Sequence, residues 1–298
     1  MTWIMPGVIL QIPLEKKNVG QFIPMYNKEH LDSSNLEPLS CNEFAQFKTQ
    51  LTFEHIKSYN RQDFIELFHK RLQSVSNIEI KGLSKFTHRD LIIGCNHFID
   101  NLIMQYGINN IQIFEHDYSY YKKLHPNIQY TTIDSLTNKM PLLIAAPFPG
   151  HLNIHRQFSE IIKKCEDKNI DVYIDAAWLP SAFDVILDLS SSCIKQVAFS
   201  CSKAYNLGDN RIGVRYCIGK QNDSINHMNE RNMISKVSYQ IACAFLNKYE
   251  YDHLVTLYKN DYFKMCKSLK LRPSNIIHAV FSIDWKKLFG VKKVLRLL

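Results

Sequence analysis

Residues 200–213 read Ser-Cys-Ser-Lys-Ala-Tyr-Asn-Leu-Gly-Asp-Asn-Arg-Ile-Gly. The stretch follows one apolar, β-branched run (195–199, KQVAF) and leads into another (212–217, IGVRYC). Its skeleton is Ser-x-Ser-Lys at 200–203, then Arg211 eight residues after Lys203, then Gly213. An amine beside cationic groups in a partly buried turn shifts toward its neutral, nucleophilic form. A guanidinium offers a planar fork for an oxyanion. A turn carrying both, set between two strands, is a candidate for chemistry at the edge of a sheet.

Other pieces of the same kind lie upstream. Residues 172–178 read Val-Tyr-Ile-Asp-Ala-Ala-Trp, an apolar strand that ends in the acid Asp175, with Trp178 three residues on. Leu91-Ile92-Ile93 is followed by Gly94-Cys95-Asn96 and then by Phe98, Ile99, Leu102 and Ile103, so a glycine turn opens a helix over 95–106. The N–H groups of such a helix start favour anions. The run 111–114 (IQIF) precedes His116-Asp117-Tyr118-Ser119-Tyr120-Tyr121. With 141–146 (PLLIAA) as a further strand and amphipathic helices predicted over 62–75 and 154–168, short unalternating strands alternate with helices from 90 to 218. That texture predicts an α/β fold whose sheet is mostly parallel and covered by helices on both faces. Residues 229–270 read as one or two further helices, and 276–298 as a small strand pair.

Taken in order, these motifs resemble the class I/II aminotransferases, the fold-type-I enzymes that use pyridoxal 5'-phosphate (PLP). The likeness covers roughly residues 90–218. It implies that Lys203 forms the Schiff base with the cofactor and that Asp175 pairs with its pyridine nitrogen. It implies phosphate contacts from Ser200, Ser202 and Arg211 and from the turn Gly94, Cys95 and Asn96. Tyr118 would stack on the ring, as in the family's P-x-Y-x-x-Y, with His116 in place of the proline. Trp178 would take the place of the usual tyrosine at the phenolic oxygen; its indole N–H donates but cannot accept. A carboxylate at the ring nitrogen keeps that nitrogen protonated, so the ring can absorb electrons.

Two departures stand out. The family's N-P-x-G is replaced by Ala146-Pro147-Phe148-Pro149-Gly150, with no Asn in the corresponding place and Asn153 three residues beyond the glycine. The chain, at 298 residues, is also short for the family. The expected division is 1–60 as an N-terminal arm and part of a small domain, 61–219 as the large PLP-binding domain, and 220–298 as linking helices with a reduced small C-terminal domain. By resemblance Arg296, in Val294-Leu295-Arg296-Leu297, would bind the substrate carboxylate, with Arg272 as the competing candidate.

Composition sets outer bounds. Hydrophobic residues make up 46% and charged residues 21%, which excludes disorder as a description of the whole chain. Net charge is 36 − 28 = +8, spread along the sequence, and no nucleic-acid signature accompanies it. The eight cysteines show no C-x-x-C spacing, so buried reduced thiols are expected in a cytoplasmic protein. The first residues make a poor signal peptide, and no apolar run is long enough to span a membrane. Histidines 88, 97, 116, 151 and 155 flank the expected cleft, and His116 and His151 are open to an acid/base role. The expectation is an aminotransferase of specialised, biosynthetic metabolism, acting on an amino acid and a keto acid as a homodimer with its active site at the interface. The alternatives are a PLP-dependent lyase, decarboxylase or racemase, and a non-catalytic PLP-fold binding protein. No nucleic acid, membrane or metal is expected as a partner.

Overall fold

The computed structural model describes residues 41–52, 56, 59–124, 126, 128–268, 271–277 and 279–281. Most of the arm expected over 1–60, and Arg296, lie outside the described residues.

In chain order the regular elements are α1 (Asn42–Gln50), α2 (Arg61–Gln73), β1 (Ile78–Lys81), β2 (His88–Ile92), α3 (Gly94–Tyr106), α4 (Tyr120–Leu124), β3 (Leu142–Ala145), α5 (Phe158–Asp167), β4 (Val172–Asp175), β5 (Val185–Asp188), β6 (Ile194–Ser200), α6 (Cys201–Tyr205), β7 (Gly213–Cys217), α7 (Ser224–Glu230), α8 (Lys236–Lys248), α9 (His253–Ser268), β8 (Arg272–Pro273) and β9 (Val280–Phe281). Five strands form the central sheet in the order β2-β7-β6-β4-β3. β3, β4 and β6 pair in parallel, while β7 runs antiparallel to both β6 and β2. The sheet is therefore mixed: β2, β3, β4 and β6 share one direction and β7 opposes them. The chain reverses through α6 and the Lys203 loop, so the next strand comes back alongside β6. The predicted strand over 111–114 survives only as isolated bridges, Gln112 to Leu142 and Phe114 to Thr131.

Strand parity assigns the two faces. Leu143, Tyr173, Ala198 and Ile92 pack on one face with Phe98, Ile99 and Leu102 of α3. Leu142, Ile144, Val172, Ile174, Val197 and Leu91 point the other way. There they join Ile161 of α5, Phe68 of α2, Phe245 of α8 and Leu254 of α9. Alternate side chains of a strand leave on opposite faces, so a strand covered on both is apolar throughout. β3 and β4 are indeed buried at every position.

Local signals set the helix ends. Asn60 and Asp63 form a capping box at α2, with Asn60 Oδ1 accepting from the Gln62 amide at 2.7 Å and Asp63 Oδ2 accepting from the Asn60 amide at 2.7 Å. α5 starts at Phe158 rather than at 154, because the Phe148 amide donates to the Asn153 carbonyl at 2.7 Å and folds that stretch into a loop. The one or two helices expected over 229–270 are α8 and α9, which follow the short α7 and part at 249–252. All eight cysteines are free and buried. No helix among the described residues is long and apolar enough to cross a membrane.

Candidate functional site

The carboxyl ends of β2, β3, β4 and β6 meet along one edge of the sheet, the usual place for a ligand crevice in an open α/β fold. Because β7 is antiparallel, its first residue lies at the same edge. Gly213 of β7 faces Ser200 of β6 on one side and Ile92 of β2 on the other. This close approach requires a glycine: a Cβ there would sit 2.2 Å from the Phe199 carbonyl oxygen. The row Ile92, Gly213, Ser200 thus draws together the Gly94 turn, Arg211 and the Lys203 helix.

At β2 the chain turns into α3 through Gly94, whose φ is +71°, a conformation costly for any residue with a side chain. A Cβ at Gly94 would lie 3.2 Å from Arg211 Nη2 and 3.3 Å from Arg211 Nε, so the guanidinium rests on the bare turn. α3 has no side-chain N-cap and no acid in its first turn. Its leading N–H groups and Arg211 form a cradle of donors suited to an anion.

Asp175 ends β4, paired with Ala145 of β3 and Ala198 of β6. It is buried, and its Oδ1 accepts from the Ala177 amide at 2.9 Å. Burial raises its pKa, an effect opposed by the Ala177 amide and the Cys95 thiol. The Cys95 Sγ also reaches the Ala198 carbonyl at 3.5 Å. Cys95, expected in the anion turn, therefore also brings its side chain against Asp175. Such a buried carboxylate is stabilised by a cationic group arriving beside it.

Tyr118 is half-buried in electrostatic reach of Asp175, Arg211 and Asn96; burial first, then Asp175, pushes its pKa up to about 12. Its ring stacks on Tyr120 at 5.7 Å and 26°, and the Tyr120 hydroxyl donates to Asp100 Oδ1 at 2.9 Å. Gly94, Cys95, Asn96, Tyr118, Asp175 and Arg211 are thus brought into one cluster.

Ser200, the last residue of β6, caps α6: its Oγ accepts from the Ser202 amide at 3.1 Å and donates to Ser202 Oγ at 3.1 Å. The Tyr251 hydroxyl fixes the Ser200 carbonyl at 3.0 Å. Lys203 sits half-buried in the middle of α6, one turn from the cap. Trp178 is buried at the start of a 3₁₀ turn after β4.

Several other candidates make contacts of their own. The Asn153 amide donates to Asn275 Oδ1 at 2.8 Å and its Oδ1 accepts from the Ile154 amide at 2.7 Å, so this side chain does not replace the missing asparagine. Arg272 is exposed on β8. His88 lies 3.1 Å from Asp90 Oδ1, and the His97 Nδ1 accepts from the Ile93 amide at 3.2 Å. His151 and His155 accept from the amides of Arg156 and Gln157 at 3.3 and 3.2 Å. Among the described residues no group of His, Cys, Asp and Glu could hold a metal ion.

One residue of the cluster was not singled out from the sequence. Asp117 is buried, with Oδ1 accepting from the Tyr118 amide at 2.6 Å and Oδ2 from the Ala145 amide at 3.1 Å. Burial raises its pKa to about 7, against the pull of those two amides and with a push from Asp175. Its acid lies in plain view in the His116-Asp117-Tyr118 motif; the signal lacking was its acceptor role at the end of β3.

No family model matches the sequence, and no curated protein matches it. Solved structures do. An aminotransferase from Staphylococcus aureus is 14% identical with a TM-score of 0.53, covering 91% of this chain and 78% of that one. The L-threonine-O-3-phosphate decarboxylase of Porphyromonas gingivalis is 11% identical with a TM-score of 0.55, covering 80% and 81%. The PLP-bound C-S lyase of Staphylococcus hominis is 12% identical with a TM-score of 0.52, covering 78% and 76%. The chain has the fold that these enzymes share, the α/β fold of the aminotransferases.

Proposed function

We propose that the protein is a PLP-dependent enzyme that acts on an amino acid, and that its reaction is transamination. The observation that carries this reading is the convergence, at one sheet edge, of a donor cradle at Gly94 and Arg211 with a buried carboxylate at Asp175. That pair of features fits a ligand with an anion at one end and a cationic nitrogen at the other. Ser200, Ser202 and the turn Gly94-Cys95-Asn96 would join Arg211 at the phosphate. Asp175 would hold the pyridine nitrogen, Tyr118 would cover the ring face, and Trp178 would stand near the phenolic oxygen. Lys203 would hold the aldehyde end.

Bound there, PLP supplies an aldehyde that condenses with amines and a ring that accepts electrons. The protein's own part is to orient and to move protons. Asp175, buried at the end of β4, would hold the ring nitrogen and keep it protonated. Lys203 Nζ would take the α-proton of the amino acid as general base and return it as general acid. The substrates would be an amino acid and a keto acid, and the working form a homodimer.

A second reading is a lyase or decarboxylase on the same cofactor. The replacement of N-P-x-G by Ala146-Pro147-Phe148-Pro149-Gly150, with Asn153 turned toward Asn275, favours it by changing the surroundings of the phenolic oxygen. The test is direct. Purified protein mixed with PLP is expected to gain visible absorption, and borohydride treatment is expected to leave a stable adduct that mass spectrometry maps to Lys203. Lys203→Ala should stay colourless. A colourless wild type sinks the proposal. Incubation with amino acids then separates the two reactions, since transamination converts the bound cofactor to its amine form and the lyase or decarboxylase releases ammonia or carbon dioxide.

A further inference from the structure

β3 loses its main-chain neighbour before it ends. The Leu143 amide donates to the Gln112 carbonyl at 3.0 Å. Beyond Gln112 the outer segment swings away, and the Thr131 amide bonds the Ile113 carbonyl at 2.9 Å. The Ala145 amide, two residues past Leu143, points to that same side. A buried amide at this place needs an acceptor. Asp117 Oδ2 is that acceptor, at 3.1 Å. The other oxygen takes the Tyr118 amide at 2.6 Å, and the Asp117 amide donates back to the Phe114 carbonyl at 3.3 Å.

We propose that Asp117 is a positioning residue: its carboxylate splices the Tyr118 turn onto the last residue of β3, and so fixes the aromatic ring that covers the cofactor beside Asp175. The inference rests on the proposed PLP reading and deepens it. Ala145 is the β3 partner of Asp175, so the splice ties the ring-covering residue to the strand row that carries the ring-nitrogen acid. Tyr121 packs edge-on against Tyr118, with ring centroids 5.9 Å apart; it is buried, its hydroxyl has no hydrogen-bond partner among the described residues, and it lies in electrostatic reach of Asp117, Asp175 and Tyr118. Tyr118 itself continues the turn, since the Tyr121 amide donates to its carbonyl at 3.2 Å. A change at Asp117 therefore moves Tyr118 without touching any group that contacts the substrate.

The test uses amide hydrogen exchange and cofactor binding on the full chain. Asp117→Asn keeps the shape, but its NH₂ faces an amide that needs an acceptor. Of the Ala145 and Tyr118 amides, the one that meets the NH₂ is expected to exchange about tenfold faster in the cofactor-free variant, the equivalent of one lost hydrogen bond to a charged group, with β4 and β6 unchanged. The PLP dissociation constant is expected to rise by about the same factor, and the visible circular dichroism of the bound cofactor to change as the covering ring shifts. In the wild type, adding PLP should slow exchange at those two amides together. That last measurement stands if the variant fails to fold. Wild-type exchange in Asp117→Asn overturns the splice, and so does no slowing in the wild type that has bound PLP. Faster exchange with an unchanged dissociation constant and dichroism overturns the positioning role. A wild type that takes up no PLP overturns the proposed function, and the positioning role with it; a wild type that binds PLP while Asp117→Asn behaves identically overturns this inference alone.

Discussion

Two single residues test the site from opposite directions, one through geometry and one through charge. Gly94 holds φ at +71° with its missing Cβ 3.2 Å from the Arg211 guanidinium. Gly94→Ala adds about 1–2 kcal/mol of backbone strain and forces Arg211 to give way. The expected result is a folded protein with a melting temperature lower by a few degrees and a PLP affinity reduced by more than tenfold, read by thermal unfolding and by absorption titration. The charge test pairs Asp117 with His155. Asp117 has a folded pKa of about 7, raised by burial from an ordinary value of 3.8. Its folded state holds the proton more tightly, so its contribution is full below the ordinary value and is lost as pH rises through 7. His155 is lowered by burial, and further by His151 and Arg156, from 6.5 to about 4. Its contribution is full above 6.5 and is lost as pH falls toward 4. The two oppose each other in the same window. Between pH 7 and 4, Asp117→Asn is expected to lose stability relative to wild type as pH falls, and His155→Gln to gain it. Melting curves across that window check both signs; equal pH profiles for wild type and either variant would contradict the assignment.

At the scale of elements, the hairpin-like return of β7 along β6 is what assembles the edge. Gly213→Ala would place a Cβ 2.2 Å from the Phe199 carbonyl, so β6 and β7 must part at the row that also holds Ile92. A cost of about 2–3 kcal/mol is expected, with loss of PLP binding because Arg211 and Ser200 separate. Asn60→Ala is the control: it removes the α2 capping box at about 1 kcal/mol and should leave PLP binding untouched. These elements differ in how far the sequence announces them. Asp175 ends the apolar run of β4, and Gly94, Ser200 and Arg211 flank strands that carry Asp90, Gln196 and Arg215 among apolar residues, yet the spacing of all four is set by chemistry that is local in the chain. The antiparallel course of β7 is not local, since it depends on which way the chain leaves α6. β1 and β5 pair in parallel as a separate two-stranded sheet, yet each is four residues long, with Glu79, Lys81 and Asp188 on the exposed side. So short a half-polar run carries no strand signal of its own. Asp117 escaped for a related reason: its role exists only because the 111–114 segment leaves β3 one residue pair too early.

At the scale of the whole molecule, the middle of β7 is fastened to its neighbours by charge. Arg215 of β7 is fully buried, with Nη2 2.6 Å from Asp90 Oδ2 of β2 and 3.1 Å from Asp223 Oδ1 at the start of α7, and with Nη1 also on Asp223. Asn101 of α3 donates to the same Asp223 at 3.1 Å, so one guanidinium joins two strands to helices on the sheet face. Burial alone would disfavour the Arg215 charge, but the two carboxylates restore it and hold its pKa above the ordinary value. An ion pair so deep contributes little over an apolar replacement of all its members, yet removing one member leaves the others stranded. Arg215→Leu leaves Asp90 and Asp223 facing each other without a cation, at an expected cost of about 3–5 kcal/mol. The melting temperature should fall by roughly 10 °C for a chain of this size. Arg215→Leu combined with Asp90→Leu and Asp223→Asn should recover most of that loss, because the stranded charges go with the arginine. Arg215 lies two residues along β7 from Gly213, but its hydrogen bonds go to Gln196, Asp90 and Asp223, none of them assigned to the cofactor, so each variant that stays folded should still take up PLP with wild-type affinity. If Arg215→Leu lost the cofactor while keeping its melting temperature, the charged anchor and the chemical edge would have to be coupled through β7, and their independence would fail.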